Sequence, residues 1–523
     1  MSDTSANNRH PAVCCSSASC AACTLGSVTR RQFLATTGAF AATGLVPGAI
    51  SRAGAKNAQP MGEAQPASRL LKVLPVLVYQ TYQRKAATSW RPWGGLFTER
   101  DVNEEKERIG RELAAAKASV NFPLELLPLA TAQSPEAASD LAKRNHDVLL
   151  VYAAGGEAET LAALASPDKW NLMFVRHKSG PVYLWYEIAH PILLRKTMDD
   201  YGQPGIGVQD VVVDNQAEIL WRLRALCGLK NTLGKRIVAV GGPAGWGAGG
   251  QQAPVRSQEL WKLDIRTVPY PDLGEKIKRA RQDSALVERT QAEAEKYLSQ
   301  KGVSLHTTRE FVANSFLLTE IFKNLMAEAE TDAITIHNCM STIMPLSETT
   351  ACLPLSLLND QGYMAFCESD FVAIPSGILL HYISGKPVFL NDPTYPHEGV
   401  VTLAHCTAPR KMDGERYEDA KILTHFESDY GAAPKVEMKV GQVVTVLDPD
   451  FASRRWLGFR GEIVDNPSLD ICRTQIDVKI HGDCDRLAEE MRGFHWMVSY
   501  GDYLRETRYA LKKVGVDWLN LSA

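Results

Sequence analysis

The sequence predicts an α/β protein: two Rossmann-like α/β domains followed by a mostly β C-terminal domain with a terminal helix. Three observations predict it. From residue 70 to about residue 365, short apolar runs alternate with amphipathic stretches, the pattern of parallel sheets covered by helices. From about residue 396 the runs read apolar-polar in alternation, with turn residues between them, as antiparallel strands do. The last such stretch, DYLRETRYALKKVGV, has its apolar residues at helical spacing.

The bulk composition is that of an ordinary globular chain. It has 523 residues, 45% of them hydrophobic and 22% charged, and a net charge of −3. No basic stripe marks a nucleic-acid surface. No apolar run reaches the roughly 18–20 residues that a membrane helix needs.

The elements follow in order. Residues 1–55 read as an export signal: Thr29-Arg30-Arg31-Gln32-Phe33-Leu34, a mild apolar stretch, then the small residues Ala53-Gly54-Ala55. The arginine pair gives it the look of a twin-arginine signal. That predicts a periplasmic or otherwise exported protein that meets the twin-arginine translocase on the way. Cys14, Cys15, Cys20 and Cys23 precede the pair and are expected to leave with the signal. Residues 56–69 are a polar linker. The N-terminal α/β domain, 70–232, opens with the strand LLKVLPVLVY. It continues through a helix over 101–118, strands at 147–154 and 172–177, and a helix over 216–229 that ends at Gly228 or just after. The second α/β domain, 233–365, holds the strands RIVAVGG and DIRTVPY, strongly helical text to Gly302, a helix over 311–330 and the strand AITIHNC. The C-terminal domain, 366–523, carries the remaining strands. Cys227, Cys339, Cys352, Cys367, Cys406, Cys472 and Cys484 are scattered and mostly set in apolar text, which suits buried thiols better than a disulfide framework.

Two features carry chemistry. Gly245-Trp246-Gly247-Ala248-Gly249-Gly250 fits GxGxxG after a strand. As a dinucleotide loop, however, it is too long, Pro254 opens the next helix poorly, and Asp264 starts its strand instead of ending it. A substrate loop bearing Trp246, or plain structure, is the better reading, and no nucleotide cofactor is expected. The acids are the stronger signal. Glu368 and Asp370 begin a nearly all-apolar run, MAFCESDFVAIPSGILLHYISGKPVF, where an unpaired carboxylate costs several kcal/mol. Glu348 lies 22 residues before Asp370, and His495 sits in the apolar context RGFHWMVSYGD. Two carboxylates and an imidazole suit Mn²⁺ or Mg²⁺, although capping acids and a satisfied core histidine fit the same residues.

The run Cys367-Glu368-Ser369-Asp370, with Ser384-Gly385-Lys386-Pro387-Val388-Phe389 after it, resembles the L-fucose isomerase and L-arabinose isomerase superfamily. Leu403-Ala404-His405-Cys406, Ile471-Cys472-Arg473-Thr474 and the end from Gly493 extend the likeness over about residues 333–523. The resemblance implies an aldose–ketose isomerase acting on a small sugar through an enediol, and a homo-oligomer. It also implies a divalent metal, usually Mn²⁺, on Glu348, Asp370 and His495. Glu348 and Asp370 would also move the proton. Glu368, His405, Arg473, Trp496 and Trp246 would stand around the site or contact substrate. His337-Asn338 stand where many relatives carry Cys-Trp, and an export signal is foreign to a cytoplasmic sugar isomerase. An epimerase or lyase for an oxidised sugar, and a non-catalytic sugar-binding relative, therefore remain open on the same fold.

Overall fold

A computed structural model describes residues 68–194 and 205–522. The expected signal, the cysteines within it and the linker up to residue 67 lie outside the described residues.

The first sheet is parallel and contains β1 (Leu71–Val78), β2 (Leu124–Leu126), β3 (Ala130–Ala132), β4 (Val148–Ala153), β5 (Trp170–Val175) and β6 (Val211–Val213). Its order is β2-β1-β4-β5-β6, with β3 also on β1. Pro75 sits in the middle of β1, where proline normally breaks a ladder. The register explains its tolerance. On one side β4 runs alongside without a break, while on the other β2 pairs with residues 71–73 and β3 with residues 76–78. Pro75 falls in the gap between the two short strands, where no partner calls for its missing N–H.

The helix Gln216–Thr232 continues three residues past its expected end. Gly228 is inside it, not at its cap. A Cβ there would stand 2.5 Å from Ile383 Cγ1, so the glycine lets the helix Ile374–Ser384 approach. Both helices belong to one large core that also takes in the first sheet.

Next in the chain come β7 (Arg236–Val240), β8 (Asp264–Val268), β9 (Val303–Leu305), β10 (Ala333–Ile336) and β11 (Met364–Phe366). Four of them form a second parallel sheet in the order β11-β10-β7-β8. The long loop after β7 leads into the helix Ala253–Leu260. Pro254 lies in the first turn of that helix, a position whose N–H has no helical partner, so the proline does not oppose the start. Asp264 pairs with Arg236 and Arg266, which gives it a structural role in place of a ribose contact.

The C-terminal strands are β12 (Phe389–Pro393), β13 (Val400–His405), β14 (Asp419–Leu423), β15 (Ala433–Glu437), β16 (Val443–Pro449), β17 (Arg455–Asp465), β18 (Thr474–Ile480), β19 (Trp496–Tyr500) and β20 (Asp517–Asn520). Six of them run β16-β19-β12-β13-β18-β17, and β17 returns to β16, closing an antiparallel barrel. β14 and β15 form a small sheet with β9. The terminal helix is Leu504–Lys513. It is followed by an unexpected strand, β20, which joins β17 in parallel; the short run DWLN carries too little periodicity to announce itself.

Strand alternation sorts the barrel's side chains. Phe389, Trp496 and Val498 fill its interior, while Leu390 and Met497 point outward into the large core. Among the described residues no helix is long and apolar enough to cross a membrane. All seven described cysteines are thiols, and five of them are buried.

Candidate metal centre

The site lies where the C-terminal end of the second sheet meets the outer face of the barrel. β11 ends at Phe366, and the chain turns through Glu368 and Ser369, with φ of 61° and 47°. Two successive non-glycine residues in the left-handed region cost roughly 1–3 kcal/mol each, so this turn is held by its neighbours. Ser369 O accepts from Ala244 N at 3.2 Å, and Ala244 O accepts from Phe371 N at 3.0 Å. Asp370 thereby forms an isolated parallel bridge with Ala244, on the loop that carries Trp246.

Asp370 is only 1% exposed. Its Oδ1 accepts from Trp246 N at 3.1 Å and from Val372 N at 3.0 Å. Its Oδ2 lies 2.8 Å from His495 Nδ1. Both oxygens are therefore committed. With Nδ1–H donated to Asp370, His495 directs Nε2 the other way, to 3.3 Å from Glu368 Oε2 and 3.2 Å from Asp392 Oδ1. A carboxylate that clasps the far nitrogen of an imidazole is the usual support of a metal-binding histidine.

Barrel register brings Asp392 and His495 together. Asn391 pairs with Trp496 across β12 and β19, so the next residue on one strand meets the preceding residue on the other. Alternation turns Trp496 into the barrel, where its ring packs edge-on against Phe459, and turns His495 outward. Asp392 also pairs with Ala404 at the end of β13, which brings His405 alongside. His405 Nδ1 lies 2.9 Å from Thr407 Oγ1, and its Nε2 stands 3.9 Å from Glu368 Oε1. Asp392, His405 and His495 each offer a ligand atom within 4.8 Å of the others.

The charge balance favours a cation. Burial alone would hold the His495 imidazole neutral, but the carboxylates of Asp370, Glu368 and Asp392 outweigh it and raise its pKa to about 10. A proton on His495 thus takes the place that a divalent ion would fill. Two imidazoles with both Nδ1 atoms held, and two carboxylates facing their Nε2 atoms, form a fitting donor set for such an ion.

The expected residues divide accordingly. Asp370 and His495 meet, but Asp370 supports the histidine through Nδ1, and Glu368 takes the place beside Nε2. Glu348 does not join them. Its side chain is 53% exposed and paired with Arg281 at 2.8 Å, because the short helix Met344–Ser347 ends in a left-handed Glu348 that turns outward. His405 is in the cluster. Arg473 is a neighbour, bound through Nε to Thr424 O at 2.7 Å and lying over Phe426. Trp496 faces the barrel core. Trp246 stacks on Phe494, with centroids 3.7 Å apart and planes 7° apart, forming an apolar wall next to His495. Asp392 joins the cluster without any cue from local spacing, although an acid in the apolar strand FLND carries the same signal as Glu368 and Asp370. Compared with known proteins, the chain matches no family model and no curated sequence.

Proposed function

We propose that this protein is a divalent-metal-dependent enzyme that moves a proton next to a carbonyl in a small polyhydroxylated substrate, as an aldose–ketose isomerase does. The observation that carries the reading is His495, clasped by Asp370 on one nitrogen and facing Glu368 and Asp392 with the other. The residues to hold the ion are Glu368, Asp392, His405 and His495. Mixed imidazole and carboxylate donors suit Mn²⁺ better than Mg²⁺, which prefers oxygen and retained water. When bound, the ion supplies polarisation of the carbonyl and the neighbouring hydroxyl, making the intervening C–H acidic.

The chain's own residues supply the rest. Glu368 has two oxygens within reach of the two imidazoles; with one directed at the cation, the other is the group to take the carbon-bound proton and return it at the adjacent carbon. Asp370 fixes the His495 tautomer. The Trp246–Phe494 wall excludes water and offers a flat apolar face to the C–H side of a sugar. The runs CESD, SGKPVF and LAHC, through their resemblance to sugar isomerases, support the same reaction class. The Arg30-Arg31 segment supports export of the folded, metal-loaded chain.

The position of Glu348 favours a second reading on the same site. With this acid outside the cluster, the second proton-handling carboxylate of the resemblance is missing, and the single base Glu368 serves the cleavage of an oxidised sugar next to its carbonyl as well as it serves isomerisation; epimerisation would need a second proton donor on the opposite face. The test is Mn²⁺-loaded protein incubated in deuterated water with a panel of aldoses, ketoses and sugar acids. Deuterium at C2 together with ketose product is expected. Exchange without ketose moves the assignment to the second reading. No exchange with any substrate, in protein holding one equivalent of metal, refutes both.

A further inference from the structure

Cys367 directly precedes Glu368, and its sulfur lies in the same cluster of side chains. Cys367 Sγ, a Glu368 oxygen and a His405 nitrogen all lie within 4.8 Å of one another. A second thiol stands behind it: Cys339 Sγ is 3.4 Å from Cys367 Sγ. The two cysteines follow β10 and β11, neighbouring parallel strands, so the sheet register sets their approach. Both are buried.

The separation tells what the pair is shaped for. Two sulfurs on one tetrahedral zinc, each about 2.3 Å from the metal, stand about 3.8 Å apart. A disulfide needs about 2.05 Å. At 3.4 Å the thiols are much nearer the metal geometry than the covalent one. Soft sulfur donors select Zn²⁺ or Cd²⁺ over Mn²⁺.

We propose that Cys367, Glu368 and His405 form a second metal site specific for thiophilic divalent ions, and that Cys339, which lies against Cys367 but outside that set of three, moves in as the fourth ligand. It shares Glu368 and His405 with the Mn²⁺ site, so the two ions exclude each other. This rests in part on the reading that Glu368 and His405 face a cation. Binding converts two thiols to thiolates and releases two protons for each divalent ion taken up. A thiophilic ion would thus remove the proton-carrying carboxylate from the reaction, which makes zinc or cadmium an inhibitor at the site and not a replacement cofactor.

The test titrates Cd²⁺ into the Mn²⁺-loaded mature protein, from which the signal with Cys14, Cys15, Cys20 and Cys23 has been removed. Ultraviolet absorbance follows the thiolate-to-cadmium charge-transfer band, and electron paramagnetic resonance follows released Mn²⁺. A charge-transfer band growing in step with Mn²⁺ release is expected. The band should vanish in Cys367→Ser and shrink in Cys339→Ser, while Cys484→Ser, a thiol away from the cluster, leaves it unchanged. Circular dichroism of each variant verifies the fold. If Cys367→Ser unfolds, the folded Cys339→Ser variant decides alone, and an undiminished band in it overturns the assignment. Cd²⁺ displacing Mn²⁺ with no thiolate band, or a band that survives in folded Cys367→Ser, likewise refutes the soft site while leaving the Mn²⁺ reading standing. A band without any Mn²⁺ bound at the start supports the soft site and refutes the Mn²⁺ reading instead.

Discussion

Replacing Asp370 with Asn tests the division of labour between the two acids. The substitution preserves size but leaves a single acceptor oxygen. If that oxygen stays on the amides of Trp246 and Val372, now 3.1 and 3.0 Å away, the new NH₂ faces His495 Nδ1. Two donors cannot share that 2.8 Å contact. The imidazole must then take the opposite tautomer, which places its proton on Nε2, the nitrogen that faces Glu368 and Asp392. One charge-assisted hydrogen bond, worth about 1.5–3 kcal/mol, is lost, and at about 1.4 kcal/mol per tenfold that is roughly 10–150-fold. This agrees with the about 10–100-fold loss of metal affinity typical when the support of a ligating histidine is removed. Glu368→Gln takes a charge out of the ligand set itself, so its loss is expected to be larger. The assay is Mn²⁺ titration followed by electron paramagnetic resonance, with thermal melts of both metal-free variants as fold controls. Wild-type affinity in folded Asp370→Asn would refute the tautomer argument. A larger loss in Asp370→Asn than in Glu368→Gln would make Asp370 the ligand after all.

Two other outcomes follow from the same structure. His495 has its folded pKa raised to about 10 from an ordinary value near 6.5. In metal-free protein, therefore, the stability it contributes is fully present below about pH 6.5 and is lost as pH rises towards 10. Melting temperature in chelator should fall over that window and stay flat with Mn²⁺ bound, while apparent Mn²⁺ affinity should rise about tenfold per pH unit below 10 as the ion displaces the proton; a flat affinity profile would exclude His495 as a ligand. Gly228→Ala gains about 1 kcal/mol of helix propensity, but its Cβ meets Ile383 Cγ1 at 2.5 Å, and overpacking of that kind costs about 1–3 kcal/mol. Urea denaturation should show net destabilisation, and in a double-mutant cycle with Ile383→Ala, which removes the clashing Cγ1, the combined loss should be smaller than the sum of the two single losses.

Much of the architecture was legible because it rests on periodicity. Strands such as RIVAV and VVTLAH and helices such as 309–328 announce themselves by pattern and length. Asp370 and His495 were legible as a pair because charge in apolar text demands a partner. Three things were not. Glu368 and Asp370, two residues apart, would face the same way in a strand, but positive φ at 368 and 369 breaks that alternation. Asp392 reaches the site through the register of β12 against β19, which barrel closure fixes and no local spacing encodes. Glu348 sits in a plausible polar context, yet one left-handed residue at a helix end was enough to turn it towards Arg281 and solvent.

The bridge between Ala244 and Asp370 has a bearing on how anything gets in. His495 has no exposed surface, while Glu368 and Asp392 keep 16% and 15%, so the only polar doorway among these residues is on the carboxylate side. The Trp246 segment is fastened there by three backbone amides, those of Ala244, Trp246 and Phe371, over a turn that stores strain. Those three bonds can break together without disturbing either sheet, and the turn's relaxation offsets part of their loss. Brief unfastening at 244–246 would open the site on the Trp246 side while leaving the His495–Asp370 contact in place, and refastening would restore the aromatic wall in the same motion. Amide hydrogen exchange at Ala244, Trp246 and Phe371 should accordingly run faster than in the strands on either side, and the three should slow together when the site is filled.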